Sequence, residues 1–449
     1  MTAEVPDVMA DELADRRPPP GQRCFTSASV EEAIQQVGAD IACPRLRRLF
    51  ANTLPNTLDT AVHHVDLARP LTFVVTGDIA AMWHRDAVNQ VWPYLRFVGD
   101  DPALARLVVG VLNQLVDFLL IDPWANAFEA EGGRSPWAGD LTAMHPRVHE
   151  RKWELDSPAA VMRLSHRWWQ ASGGDTTPFD GRWRDAMATA IGVLRQHQGR
   201  GEASPYRFQR RTSNPLDSLV LDGRGPPSAP LGLVRSAFRP SDDACSLPFH
   251  VPANCMVAAA LEDLAVLAQA TGASTLATDA ARLAREIRLA LDALPVPWPY
   301  ELDGYGSLLM MDDANVPSLL SLPWLGAVRA DDARWRETRR RVLSDAGNPF
   351  YVQGSEAAGV GSPHTGTRAV WPLALVMQAL TAEDDTERFR TLRVLLAGSA
   401  RTGFMHEAFD ADDPTRYTRP WFAWANSMFG ELVLTLHETR PHVLQEFAA

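Results

Sequence analysis

Helix-period patterning runs through almost the whole chain and leaves little room for any other fold class. Apolar residues recur at helical spacing over 28–38, 44–64, 79–97, 102–121, 156–171, 179–197, 252–271, 274–292, 331–345, 368–381, 384–400 and 421–440. Such spacing gathers apolar side chains on one face of a helix. Strand-like alternation is confined to 71–76 (LTFVVT) and 307–311. Gly-, Pro- and Asp-rich loops separate the periodic stretches, the longest at 199–250 and 293–317. No segment recurs at a fixed short period, which sets aside a TPR- or HEAT-type array. A dozen helices joined by uneven loops predict an all-α toroid of helix pairs. No change of composition marks a boundary within 24–449, so that span is expected to be one domain. Residues 1–23, charged and then proline-rich at Pro18–Pro20, are expected to form a flexible arm.

Charge and cysteine usage narrow the function classes. The 43 basic and 55 acidic residues leave a net charge of −12. That balance argues against nucleic acid or an anionic membrane as the partner. Cys24, Cys43, Cys245 and Cys255 form no C-x-x-C pair, so neither a zinc knot nor a disulfide framework is expected. The N-terminal residues lack a basic segment followed by an apolar run, and no uninterrupted apolar stretch reaches membrane-spanning length. A reduced, cytoplasmic setting is the expectation. Tryptophan is abundant, 14 against 6 tyrosines, and an indole face suits a sugar ring. Lys152 is the only lysine.

Polar and aromatic residues concentrate on the loops between helices. Thr76-Gly77-Asp78 precedes a helix for which Asp78 is a natural cap. On that helix Trp83, Asp86 and Gln90 share a face, beside Arg85. The run 150–158 (ERKWELDSP) places Glu154 and Asp156 beside cations, with Pro158 suited to the first turn of a helix. Phe238-Arg239-Pro240-Ser241-Asp242-Asp243 juxtaposes two carboxylates, whose repulsion raises one pKa toward what a general acid needs. The acidic run through Glu301, Asp303, Asp312 and Asp313 lacks the glycine and closing glutamate of an EF-hand. His364 sits in a Gly/Pro loop ahead of Trp371. His406-Glu407 lacks the second histidine of a zincin. Arg419, Trp421 and Trp424 open the last helix. No G-x-S-x-G elbow or Walker A motif is present. Carboxylates with aromatic neighbours on loops that a toroid would gather at one end fit glycoside hydrolysis, which needs two carboxylates in a hydroxyl-binding pocket.

Together these segments resemble glycoside hydrolase family 125, the exo-α-1,6-mannosidases. The stretches that carry the resemblance are TGDIAAMWHRDAVNQVWPYL, ERKWELDSP, FRPSDDA, YELDGYGSLLMMDDANVPSLLSLPWLG, GVGSPHT with VWPLALVMQALT, and TGFMHEAFDADDPTRYTRPWFAWANSMFGELVL, spread over 71–435. The resemblance implies an (α/α)6 barrel and an inverting exo-mannosidase without metal or cofactor, acting on mannose-rich oligosaccharides. It implies an acid at Asp242 or Asp243, with Asp242 preferred, and a base at Glu407. Trp83, Arg85, Asp86, Glu154, Asp156, Arg239, Asp312, His364, Arg419 and Trp424 are expected to line the pocket. His84, Leu247–His250 and Gly366–Arg368 depart from the family's pattern, and 199–237 carries no recognisable motif. The alternatives are an (α/α)6 glycosidase of another α-linkage specificity and a sugar-binding barrel without catalysis.

Overall fold

Each of the twelve periodic stretches contains a helix in the computed structural model, which describes residues 13–132, 135–199 and 204–448. Burial sorts them into two rings. Every residue of His84–Val91 is buried, as are all but the last of Pro372–Leu380. Ser274–Asp292 instead buries a stripe, Leu276, Ala280, Leu283, Ile287 and Leu291 among it, and turns its other face to water. A helix apolar all round belongs inside, and a striped one belongs outside.

The inner ring contains His84–Val91, Asp156–Ala171, Val251–Ala270, Pro372–Leu380 and Ala423–Thr439. Pro44–Thr53, Pro102–Ile121, Gly181–His197, Ser274–Asp292, Ala333–Val342 and Asp385–Gly398 alternate with them in sequence on the outside. Around the inner ring, His84–Val91 packs on Asp156–Ala171 and on Ala423–Thr439, and Asp156–Ala171 packs on Val251–Ala270. The remaining inner place falls to a turn-rich run at 311–327 rather than a regular helix. Buried Asp312 holds that run by accepting the backbone N–H of Leu319 (2.8 Å) and Leu320 (3.0 Å). The indole of Trp335, on the neighbouring outer helix, donates to the Leu319 carbonyl (3.0 Å). Six outer and six inner positions make an (α/α)6 barrel. It closes where Gly77 bridges Phe422, and a Cβ on Gly77 would lie 2.5 Å from the Trp421 carbonyl oxygen.

The inner helices begin at the same end of the barrel, so their N-termini converge. Short antiparallel sheets fix the residues there. One joins Met82–Trp83, Ala127–Phe128 and Val148–Glu150, and another joins Ala369–Val370, Ala408–Asp410 and Tyr417–Thr418.

Several expectations need correction. Asp78 does not cap a helix: Met82–Trp83 is a strand, the helix starts at His84, and Asp78 pairs with Arg419. Pro93 ends that helix early, and Trp92–Phe97 is a 3-10 turn. The arm is docked over its described part, because Leu13 is buried and Arg17 reaches Asp59 (2.8 Å) and Glu31 (2.9 Å); residues 1–12 lie outside the described residues. Pro102–Ile121 and Val251–Ala270 are in fact long and apolar enough to cross a membrane. Their most apolar windows are 67% and 78% buried inside the barrel, where that composition serves as core.

Candidate active site

A cavity of about 450 Å³ opens where the inner helices begin. Its two sides differ in depth and charge.

On one side stands Asp242, in the left-handed region at φ 64°. Non-glycine residues rarely adopt that conformation, and it is held here by the surrounding turn. The turn sends Asp242 and Asp243 in opposite directions. Asp242 keeps 26% of its side chain exposed and lines the cavity, whereas Asp243 keeps 1% and turns inward to His364 Nδ1 (3.0 Å). Behind Asp242 lies Arg85, from the first turn of His84–Val91. Its Nη1 donates to Glu154 (2.7 Å) and Asp156 (3.2 Å), and its Nη2 reaches Asp242 (3.5 Å). The Arg85 guanidinium also lies 5.3 Å from the Trp424 ring centroid. Asn126 Nδ2 binds Glu150 (3.0 Å), Glu154 (3.1 Å) and Asp242 (3.2 Å), and its Oδ1 accepts the Lys152 N–H (3.1 Å). The Lys152 ammonium pairs with Asp217 (3.1 Å) and Glu150 (3.2 Å).

This packing sets the protonation states. Burial is the main force raising the Glu154 carboxyl, aided by Asp242 and opposed by Arg85. Burial would raise Asp242 too, but the hydrogen bond from Glu154 and the charges of Arg85 and Lys152 outweigh it and hold Asp242 well below the usual carboxylate range. Close carboxyls in a dry site cannot all ionise.

Elsewhere on the wall Glu407 lines the cavity and faces Arg419 Nη1 (3.6 Å). Arg419 donates from Nε to Asp78 (2.9 Å) and stacks on Phe422, with 4.6 Å to the ring centroid. Arg419 also sits in the left-handed region, at φ 43°. His364 lies at the cavity too. Burial opposes its charge, but the hydrogen bond and charge of Asp243, with Glu407 and Asp242 adding, push it up to about 9. Between the sides, Asp86 Oδ2, Trp83 Nε1 and Trp424 Nε1 are buried and make no hydrogen bond among the described residues, Asp86 Oδ2 lying 3.5 Å from Arg85 Nη2 as an ion pair, while Asp86 Oδ1 is taken by Thr76 (2.6 Å). A cavity with carboxylates on two sides and unmatched donors and acceptors between suits a small polyhydroxylated ligand.

The family model for metal-independent alpha-mannosidases, GH125, matches residues 43–434. The chain belongs to that family. This α-mannosidase is 41% identical over 464 aligned positions to the meiotically up-regulated gene 157 protein of Schizosaccharomyces pombe, covering 97% of this chain and 91% of that one. A Streptococcus pneumoniae metal-independent α-mannosidase, solved in a non-productive complex with α-1,6-mannobiose, superposes with a TM-score of 0.89 at 37% identity, covering 93% of this chain and all of that one. A bacterial glucoamylase solved with acarbose shares the fold alone, with a TM-score of 0.55 and 13% identity over 89% of this chain and 58% of that one.

In this α-mannosidase, Trp83, Arg85, Asp86, Asp242, His364, Glu407, Arg419 and Trp424 line the cavity. Asp243, Glu154 and Asp156 do not: Asp243 supports His364, and the other two sit behind Arg85. Arg239 is spent on buried Glu301 (2.6 Å), and Asp312 on its turn, where burial pushes it up to about 8. Residues outside the predicted set also reach the cavity, Lys152, Arg210 and Asp217 among them. Asn126, also missed, joins the carboxylates from behind. Lys152 did carry a signal as the sole lysine. Arg210 and Asp217 come from the motif-free 199–237 region. His84 and His250, two of the departures, are both fully buried and face the core. His84 packs edge-on against the stacked rings of Phe118 and Phe128, with burial lowering it to about 4, and His250 packs against Tyr300.

Proposed function

We propose that the enzyme removes terminal α-1,6-linked mannose from mannose-rich oligosaccharides with inversion, using Asp242 as general acid and Glu407 as general base. The single observation that carries this reading is the division of the cavity: Asp242 on a proton-rich side, Glu407 beside Arg419 on the other. The α-1,6 linkage follows the Streptococcus pneumoniae relative bound to α-1,6-mannobiose. In this mechanism the acid protonates the glycosidic oxygen while the base takes a proton from the attacking water, and an inverting pair stands far enough apart to admit that water. Asp86 and the two indole N–H groups take hydroxyls of the terminal sugar. The cation on Arg419 stands 3.6 Å from the Glu407 carboxylate.

Asp242→Asn and Glu407→Gln are each expected to lower turnover of α-1,6-mannobiose by at least ~10²-fold, the scale of lost acid or base assistance. Near-normal turnover in either variant removes that residue from its role. A panel of α-1,2-, α-1,3- and α-1,6-mannobiose tests the linkage, and equal rates on all three contradict it.

A further inference from the structure

The Asp242 side holds more carboxyl groups than one proton donor requires. Glu154 is completely buried and lies outside the cavity lining, behind Asp242. The two carboxyls are hydrogen-bonded to each other. Ionised carboxylates only accept, so a bond between them needs a proton on one. Both also converge on shared donors: Asn126 Nδ2 contacts each (3.1 and 3.2 Å), and the two Nη atoms of Arg85 divide between them (2.7 and 3.5 Å). Of the two, only Asp242 lines the cavity.

We propose that Glu154 is the proton store for the acid, a positioning residue that acts through Asp242. This rests on the reading of Asp242 as the acid. As the C1–O bond breaks, its electron pair goes to the leaving oxygen, which takes the Asp242 proton. Asp242, ionised at rest, receives that proton from the Glu154 O–H as it passes it on, so both carboxyls end ionised, Glu154 against Arg85 and Asn126. Water forms the new bond to C1 and gives a proton to Glu407. After product leaves, Glu407 releases that proton and the carboxyl pair regains one from solvent, so one water is consumed. Arg85 suits this cycle because its Nη1 already lies 2.7 Å from the oxygen that gains charge.

The test compares two substrates of different leaving-group demand, α-1,6-mannobiose and α-mannosyl fluoride. Fluoride departs with little need of a proton. Glu154→Gln keeps the size and hydrogen-bonding reach but cannot pass a proton. It is expected to lower kcat on mannobiose by at least ~10-fold, while kcat on the fluoride changes less than about 3-fold. Equal loss on both substrates, or no loss on either, overturns the proposal. If the Gln variant does not fold, Glu154→Asp, which keeps the proton but shortens its reach, must show the same selective loss; uniform loss there overturns it equally. Asp242→Asn is the control for the underlying reading. Selective loss in Asp242→Asn with uniform loss in the Glu154 variants sinks the store alone. Equal loss in Asp242→Asn on both substrates sinks the acid assignment itself.

Discussion

The two sides of the cavity solve opposite problems with opposite packing. On the Asp242 side one buried guanidinium, Arg85, faces Asp86, Glu154, Asp156 and Asp242, with 4% of its side chain exposed. On the Glu407 side Arg419, 21% exposed, pairs with Glu407 and Asp78. Carboxyl groups crowded into a dry site cannot all ionise, and here the proton is held on Glu154 behind Asp242. Glu407 instead lines the cavity beside one cation, Arg419, at 3.6 Å. The difference also separates stability from chemistry. The Asp242 side is part of the core that holds inner helices together, whereas the Glu407 side is a rim built on short strands.

The largest expected effect breaks that contrast directly. Arg85→Met leaves three buried carboxylates without their cation and is expected to cost about 3–5 kcal/mol of stability. Arg419→Met removes a partly exposed pair and is expected to cost under about 1 kcal/mol. Urea unfolding of the two variants reads the difference, and equal losses would show that the sides are alike.

A smaller effect lies between the sides, at His364. Its pKa is raised from 6.5 when unfolded to about 9 by Asp243. The sign is that of a raised group: the contribution to stability is complete below about pH 6.5 and fades as pH rises through about 9. His364→Gln is therefore expected to be less stable than wild type at pH 6, with the gap closing by pH 10. A gap that stays constant across this range would detach His364 from the Asp243 charge. The smallest effect is expected at Trp83. Trp83→Phe keeps an aromatic wall but loses the unmatched N–H, so kcat/KM should fall by ~10-fold or less, the value of one neutral hydrogen bond. Unchanged kcat/KM would remove that N–H from sugar binding.

The helical ladder was legible because burial writes a period into sequence. The stripe of Ser274–Asp292 and the continuous apolar run of Val251–Ala270 both read directly as helices. The sheets that aim the site were not legible, because Met82–Trp83 and Ala127–Phe128 are two residues each and carry no period. The inner run at 311–327 escaped for a related reason: its order comes from Asp312 accepting two backbone N–H groups, not from side-chain spacing. Within the site, residue types named the chemistry but not its direction. Asp242 and Asp243 are adjacent and identical, and only the left-handed backbone at Asp242 separates the one that faces the sugar from the one that faces His364. Arg239 and Glu301 each looked free in their own loops, because the partner of each lies 62 positions away. Asn126 stood alone in its segment, and nothing local marks it as the group that joins three carboxylates.

The central claim is that an acid and a base act from opposite sides of one cavity, and the configuration of the first product tests it most directly. Proton NMR of α-1,6-mannobiose hydrolysis, followed before mutarotation, should show β-mannose released first. Initial release of α-mannose would contradict the account.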